Sequence, residues 1–195
     1  MPDPSDSESI RFHFKLVLLG DGGTGKTCIL RRFCFNEFGE DTKLTIGLSF
    51  NSYSLLAHEN GKRFRIGLSI WDFGGQPRFR PLLPQFIQGC SGAFLCFDQT
   101  AFHSLESLVH DWRPMLSTNA GSVPSILVGT KQDLLTDANE IDPTIIEQYR
   151  VQLGAFRFIS TSAKTGYNTI LIFNEIVKKI LQYHPFQNRE IRIEE

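Results

Sequence analysis

An α/β fold, with a mostly parallel sheet of six strands and five helices on its two faces, is predicted by three observations. Short apolar runs alternate with stretches of helical periodicity along nearly the whole chain. Most of the strand-like runs are apolar at consecutive rather than alternate positions, the pattern of strands covered on both faces. The first of them passes through a glycine-rich turn directly into a helical segment. Strand patterns cover residues 12–19, 48–57, 63–71, 93–98, 125–129 and 156–160, and Glu59-Asn60-Gly61 supplies a hairpin turn between the second and third, which makes that pair antiparallel. Helices fill the gaps. Leu105, Leu108, Val109 and Trp112 recur at helical spacing, and so do Phe173, Ile176, Val177, Ile180 and Leu181, with Asn174, Glu175, Lys178 and Lys179 opposite them. Both stripes read as core. Residues 1–10, rich in Pro, Ser and acid, read as a disordered lead, residues 11–184 as one domain, and residues 185–195 as a short tail.

Composition excludes several classes of function. The formal net charge of −1 gives no electrostatic case for nucleic acid or an anionic membrane surface. Cys28, Cys34, Cys90 and Cys96 contain no C-x-x-C pair and fit a reducing compartment, and the five histidines show no metal-ligand spacing. No stretch reaches the ~18 apolar residues of a membrane span, and the first residues lack the basic and apolar regions of a signal peptide. Pro2 occupies the position where myristoylation requires glycine, and Cys96 is the last cysteine, so no prenylated ending is expected. These features predict a soluble cytoplasmic protein, with any membrane recruitment left to a partner.

Gly20-Asp21-Gly22-Gly23-Thr24-Gly25-Lys26-Thr27 follows the apolar run Leu16-Val17-Leu18-Leu19 and opens into a helix beginning near Cys28. The pattern G-x-x-x-x-G-K-[ST] in that setting reads as a phosphate cradle, because glycines let backbone N–H groups turn inward and the helix N-terminus adds about half a unit of positive charge. Lys26 would reach the β- and γ-phosphates and the Thr27 hydroxyl would bind Mg²⁺. In an open parallel sheet, ligands bind beyond the carboxyl ends of the strands, so the remaining candidates are sought there. Asp72 ends the run Leu68-Ser69-Ile70-Trp71 and would join the metal site through water, while Gly75 offers its N–H to a γ-phosphate and Gln76 orients a water for in-line attack. Thr45, in the loop 41–47, offers its hydroxyl to Mg²⁺ and its N–H to the γ-phosphate. Gln76, Lys26, Gly75 and Thr45 thus form the expected catalytic set, and Thr27, Thr45 and Asp72 the expected metal set.

Two further turns read as base-recognising loops: Thr130-Lys131-Gln132-Asp133 after the fifth strand and Ser162-Ala163-Lys164 after the sixth. The Asp133 carboxylate only accepts, so it pairs with the N1–H and N2–H₂ donors of guanine, which adenine does not present. The Lys131 stem would lie over the base, the Ala163 N–H would reach O6, and Phe38 would stack on the other side.

Taken in order, G-x-x-x-x-G-K-T, Thr45, Asp72-x-x-Gly75-Gln76, Thr130-Lys131-x-Asp133 and Ser162-Ala163-Lys164 resemble the small GTPases of the Ras superfamily across residues 11–184. Thr45-Ile46-Gly47-Leu48-Ser49-Phe50 and Gly75-Gln76-Pro77-Arg78-Phe79-Arg80 are most similar to Rab proteins. Trp71-Asp72-Phe73-Gly74-Gly75-Gln76 and Gly129-Thr130-Lys131 are also similar to the septum-promoting GTPases of fungi. The resemblance implies the G-domain form of the P-loop NTPase fold, GTP and GDP bound with Mg²⁺, slow hydrolysis, and a change of partners between the two states. It also implies a role in signal transduction or vesicle trafficking, with activating proteins, exchange factors and effectors as partners. Phe50, Trp71 and Phe86 match the aromatic triad through which Rab effectors read the switches. Three departures bear on this. Thr130 stands where the family usually has asparagine, which shortens or removes a contact to guanine N7 or to the phosphate loop. Pro77 follows Gln76 and pushes it toward extended backbone angles, which presets or misplaces the glutamine. The C-terminal lipidation cysteines of Rab and Ras relatives are missing. A GTP-bound scaffold that barely hydrolyses is the alternative the first two departures leave open.

Overall fold

The computed structural model describes residues 9–39, 44–183, 186 and 189–194. Most of the expected lead, the 41–43 part of the loop before Thr45, and part of the tail lie outside the described residues. The chain runs β1 (Ile10–Leu19), α1 (Lys26–Phe35), β2 (Leu48–Glu59), β3 (Lys62–Phe73), a 3₁₀ turn (Pro77–Leu82) leading into α2 (Leu83–Ile87), and β4 (Gly92–Asp98). Next come α3 (Phe102–Ser107), a π turn (Leu108–Trp112) and α4 (Arg113–Ala120), then β5 (Ser125–Thr130), α5 (Pro143–Leu153), β6 (Arg157–Ser160), α6 (Thr169–Ile180) and β7 (Ile191–Ile193). Because α3, the π turn and α4 are consecutive, five helical rods cover the sheet among the described residues, as the periodicity predicts.

The sheet has the order β6-β5-β4-β1-β3-β2-β7. β1 pairs in parallel with β3 and β4, and β4-β5-β6 continue in parallel, while β2 and β7 are antiparallel additions at one edge. Alternate side chains of each central strand feed opposite layers. Leu16 and Leu18 of β1 join Phe94 and Cys96 of β4 under α1 and α6, whereas Val17 and Leu19 join Ala93, Leu95 and Phe97 under α2 to α5. This is why residues 16–19 of β1 and 93–97 of β4 are apolar at every position. At the β2–β3 hairpin Asn60 and Gly61 both have positive φ, 52° and 76°, matching the right-handed twist of the strands.

Three expectations are corrected. The sheet has seven strands rather than six, because Ile191–Ile193 of the expected tail pairs with Ala57, His58 and Glu59 and buries Ile193 in the core. Three residues without a turn signal are too short to read as a strand. Asn174, expected on the polar face of α6, is buried, with Oδ1 lacking a partner among the described residues. Of the four cysteines, all of which the apolar and helical patterns place in helix or strand, Cys90 instead lies in the turn between α2 and β4.

Candidate functional site

All the expected loops emerge at the carboxyl ends of the parallel strands, where two adjoining cavities share Gly25, Cys28 and Lys131. The first, about 540 Å³, is lined by Gly22, Gly23, Lys26, Thr27, Leu44, Thr45, Gly75 and Gln76. The second, about 620 Å³, is lined by Ile29, Phe38, Thr130, Asp133, Leu134, Ala163 and Lys164.

In the first cavity Lys26 is almost wholly buried, and its Nζ donates to the carbonyls of Gly20 and Asp21 at 2.7 Å each. Burial lowers its pKa, against the opposing pull of the Asp72 charge. The ammonium is therefore held by dipoles of its own loop and gains from a full negative charge brought near it. Thr24, also buried, donates to the Asp21 carbonyl at 2.9 Å and braces the loop rather than facing the cavity. Beside it, Thr27 Oγ1 lies 2.6 Å from Thr45 Oγ1 and donates to Asp72 Oδ2 at 2.5 Å. Asp72 is fully buried, which raises its pKa against the lowering effects of Thr27 and Lys26, and its Oδ1 has no partner among the described residues. An orphaned buried carboxylate oxygen beside two hydroxyls is a hard-oxygen donor set. It fits Mg²⁺, which takes one or two carboxylates and completes its shell with water and phosphate oxygens. No cage of three or more His, Cys, Asp or Glu is found among the described residues.

Gly75 packs directly on the phosphate loop, where a Cβ would stand 2.2 Å from the Asp21 carbonyl carbon and 2.3 Å from Gly22 N. No side chain larger than hydrogen fits there. The Gly74 N–H donates to the Gly47 carbonyl at 2.8 Å, so the segments carrying Thr45 and Gln76 are joined to each other as well as to the loop. Gln76 has φ −73° and ψ 138°, the extended conformation expected before Pro77, and its Cγ lies 3.7 Å from the place of a Cβ on Gly22.

In the second cavity Thr130 Oγ1 lies 2.6 Å from the Thr24 carbonyl and 3.0 Å from that of Phe97, so the tie to the phosphate loop is kept despite the missing asparagine. Ser162 Oγ donates to Asp133 Oδ1 at 2.5 Å, which orients the carboxylate. Lys131, with the unusual φ of 58°, is anchored by its Nζ to Asp98 Oδ2 at 2.6 Å. Burial pushes the Asp98 carboxyl up, but hydrogen bonds from Lys131 and Thr100 outweigh it and the net pKa is lowered. Asp98 itself carries no motif; a carboxylate at the end of a wholly buried strand was the signal available. Arg32 of α1 was likewise missed: its Nε and Nη2 donate to the Ala163 and Lys164 carbonyls at 2.7 and 2.8 Å and fix the Ser162-Ala163-Lys164 loop. Asp21 belongs to the phosphate loop by its backbone alone, since its side chain turns toward the helices. On the outer face Phe50, Trp71 and Phe86 form a continuous aromatic cluster, with ring centroids 5.1 Å and 5.5 Å apart.

A phosphate loop at the end of β1 with a carboxylate and two hydroxyls beside it, joined to a second cavity lined by Asp133, Lys131 and Phe38, defines a nucleotide-binding protein of the P-loop class. The chain belongs to the Ras family, whose model matches residues 15–182, and is a Rab-like small GTPase switch. It is 36% identical to the Ras-related protein Rab-4A of Bos taurus over 185 residues, covering 93% of this chain and 80% of that protein. It is 36% identical to Rab-4B of Homo sapiens over 179 residues, covering 90% and 79%. Identity to the Rho-related protein racC of Entamoeba histolytica is 34% over 184 residues, covering 89% and 92%.

Proposed function

We propose that the chain binds GTP with Mg²⁺ and hydrolyses it slowly, changing partners as the segments around Thr45 and Gln76 are held or released. The observation that carries this reading is the convergence of Thr27, Thr45 and Asp72 oxygens beside the buried Lys26, with Gly75 against the phosphate loop. Bound Mg²⁺ would supply charge neutralisation on the β- and γ-phosphates, with Thr27, Thr45 and Asp72 holding it. Lys26 exchanges loop carbonyls for phosphate oxygens, the Gly75 N–H faces the γ-phosphate, and Gln76 orients the attacking water through its amide. Asp133, oriented by Ser162, reads the guanine N1 and N2 donors, while Lys131, Ala163 and Phe38 enclose the base. When the γ-phosphate leaves, Thr45 and Gly75 lose their shared anchor and the exposed Ile46, Phe50 and Leu82 are presented differently to effectors. Activating proteins, exchange factors and effectors of the membrane-traffic class are the expected partners.

No arginine lines the first cavity among the described residues. Intrinsic turnover of about 10⁻⁴–10⁻³ s⁻¹ follows, rising by roughly 10³–10⁵ when an activating protein inserts one. Single-turnover phosphate release from protein loaded with GTP, with Mg²⁺ and with chelator, tests the reading. Gln76→Leu should slow the Mg²⁺-dependent reaction at least about tenfold. Unaided release near 1 s⁻¹, or absence of guanine-nucleotide uptake, would contradict it. The extended backbone imposed on Gln76 favours one second reading, a GTP-bound scaffold, and that reading wins if Gln76→Leu changes nothing.

A further inference from the structure

Asp21 follows the first glycine of the phosphate loop, yet its side chain leaves the cavity for the corner between the 3₁₀ turn and the π turn. One oxygen, Oδ1, accepts from Ser107 Oγ at 2.8 Å, Trp112 Nε1 at 3.0 Å and Arg80 Nη2 at 3.2 Å. Arg80 reaches Asp111 Oδ2 with its other terminal nitrogen at 2.9 Å and lies 5.1 Å from the Trp112 ring centroid. The π turn makes this possible, because widening the helix brings residues five apart, Ser107 and Trp112, over one another and onto the same oxygen.

Arg80 sits four residues beyond Gln76, in a 3₁₀ turn whose Phe79 N–H donates to the Gln76 carbonyl at 3.0 Å. A six-residue 3₁₀ turn with Pro81 inside has few hydrogen bonds of its own and needs an external tie. The guanidinium provides one by gripping two carboxylates on two separate elements. Its Nε is buried with no acceptor among the described residues, which is destabilising, so stability alone does not account for its placement.

We propose that Arg80 is a positioning residue: it latches the segment carrying Gln76 to the phosphate loop through Asp21 and to the π turn through Asp111, so that Gln76 stays over Gly22. The kinetic consequence rests on the GTPase reading above; the latch itself does not. A residue that holds Gln76 matters to hydrolysis and not to GDP, which has no γ-phosphate for that segment to face.

The test compares Arg80→Ala and Arg80→Lys in a Trp71→Phe background, where Trp112 is the remaining tryptophan. Lysine keeps the charge but not the two-pronged reach. Expected are easier acrylamide quenching of Trp112 in both variants and GTP hydrolysis slowed about tenfold to a hundredfold in Arg80→Ala, less in Arg80→Lys, with GDP affinity retained. Unchanged quenching overturns the latch, as does unchanged hydrolysis. A fall in GDP affinity that keeps step with hydrolysis overturns it too, by showing a tie that merely supports the fold. Failure of the parent reading looks different: wild-type protein takes up no guanine nucleotide or releases no phosphate. Trp112 quenching in nucleotide-free wild type and variants then decides the latch by itself.

Discussion

Thr130 owns one hydroxyl proton and faces two carbonyls, those of Thr24 and Phe97, so a single donor is already committed within the protein. An asparagine has two amide protons and can serve the loop and a base together. We therefore expect this protein to bind 7-deaza-GDP about as well as GDP, since no donor from this position is left for purine N7. Thr130→Asn should open a preference for GDP of roughly 1 kcal/mol, about fivefold. Competitive displacement of a fluorescent guanine nucleotide measures both, and a strong preference of the native protein for GDP over its 7-deaza analogue would show that N7 is read. The sequence identifies Thr130 as a departure from the family pattern, but which of two contacts it keeps depends on the distance to Thr24, 106 positions away. The same limit hid Arg32, whose bonds to Ala163 and Lys164 span 131 and 132 positions. That Lys26, Thr27, Asp72 and Asp133 gather at one edge of the sheet was legible because each stands in a short motif after an apolar strand, where spacing in the chain is also spacing in the fold.

At the scale of elements, hairpin and helices were legible because their signals are local, Asn60-Gly61 for the turn and the apolar stripes of α3 and α6 for the rods. β7 was not, since Ile191–Ile193 is held by partners far away in the chain. Glu59 of β2 accepts from Arg189 Nε and Nη2 at 2.6 Å each and from Arg11 Nη1 at 2.7 Å, and Glu194 pairs with Arg63 and His58. Hydrogen bonding to Arg189 is the largest of the effects that lower the Glu59 pKa below its ordinary 4.5, and Glu194 is shifted the same way by Arg63. A carboxylate with a depressed folded-state pKa stabilises above its unfolded value and loses that contribution as pH falls through the folded one. The clip on β7 should therefore be intact at neutral pH and weaken only below about 4.5. Melting temperatures of native protein and Glu59→Gln across this range provide the check: the native advantage should be constant from pH 7 to pH 5 and shrink in more acid buffer. An advantage that grows on acidification would reverse the assigned sign.

For the whole molecule, the parallel core β3-β1-β4-β5-β6 was readable from composition of the strands, and with it the edge at which ligands collect. What composition could not convey is how loosely the loops at that edge depend on one another. Asp21 reaches Trp112 across 91 positions, Lys131 reaches Asp98 across 33, and the segments of Thr45 and Gly75 touch each other through the single Gly74-to-Gly47 hydrogen bond as well as meeting at the phosphate loop. Buried Lys26 and Asp72 sit there with opposite charges, each disfavoured by its own desolvation. A phosphate and a divalent cation would relieve both at once and tie together loops that otherwise rest on separate strands. Binding confined to the folded state must then stabilise the entire domain. At a ligand concentration 100 times Kd the gain is about 2.7 kcal/mol, which for a domain of this size raises the melting temperature by roughly 5–10 °C. Calorimetric melting with Mg²⁺ and GDP should show that rise, chelation of Mg²⁺ should remove much of it, and ADP at equal concentration should give none, because Asp133 has no pair of donors to read on adenine. Equal shifts with ADP and GDP would place the selectivity elsewhere than in Asp133, and a shift indifferent to chelator would separate Asp72 and Thr27 from any metal.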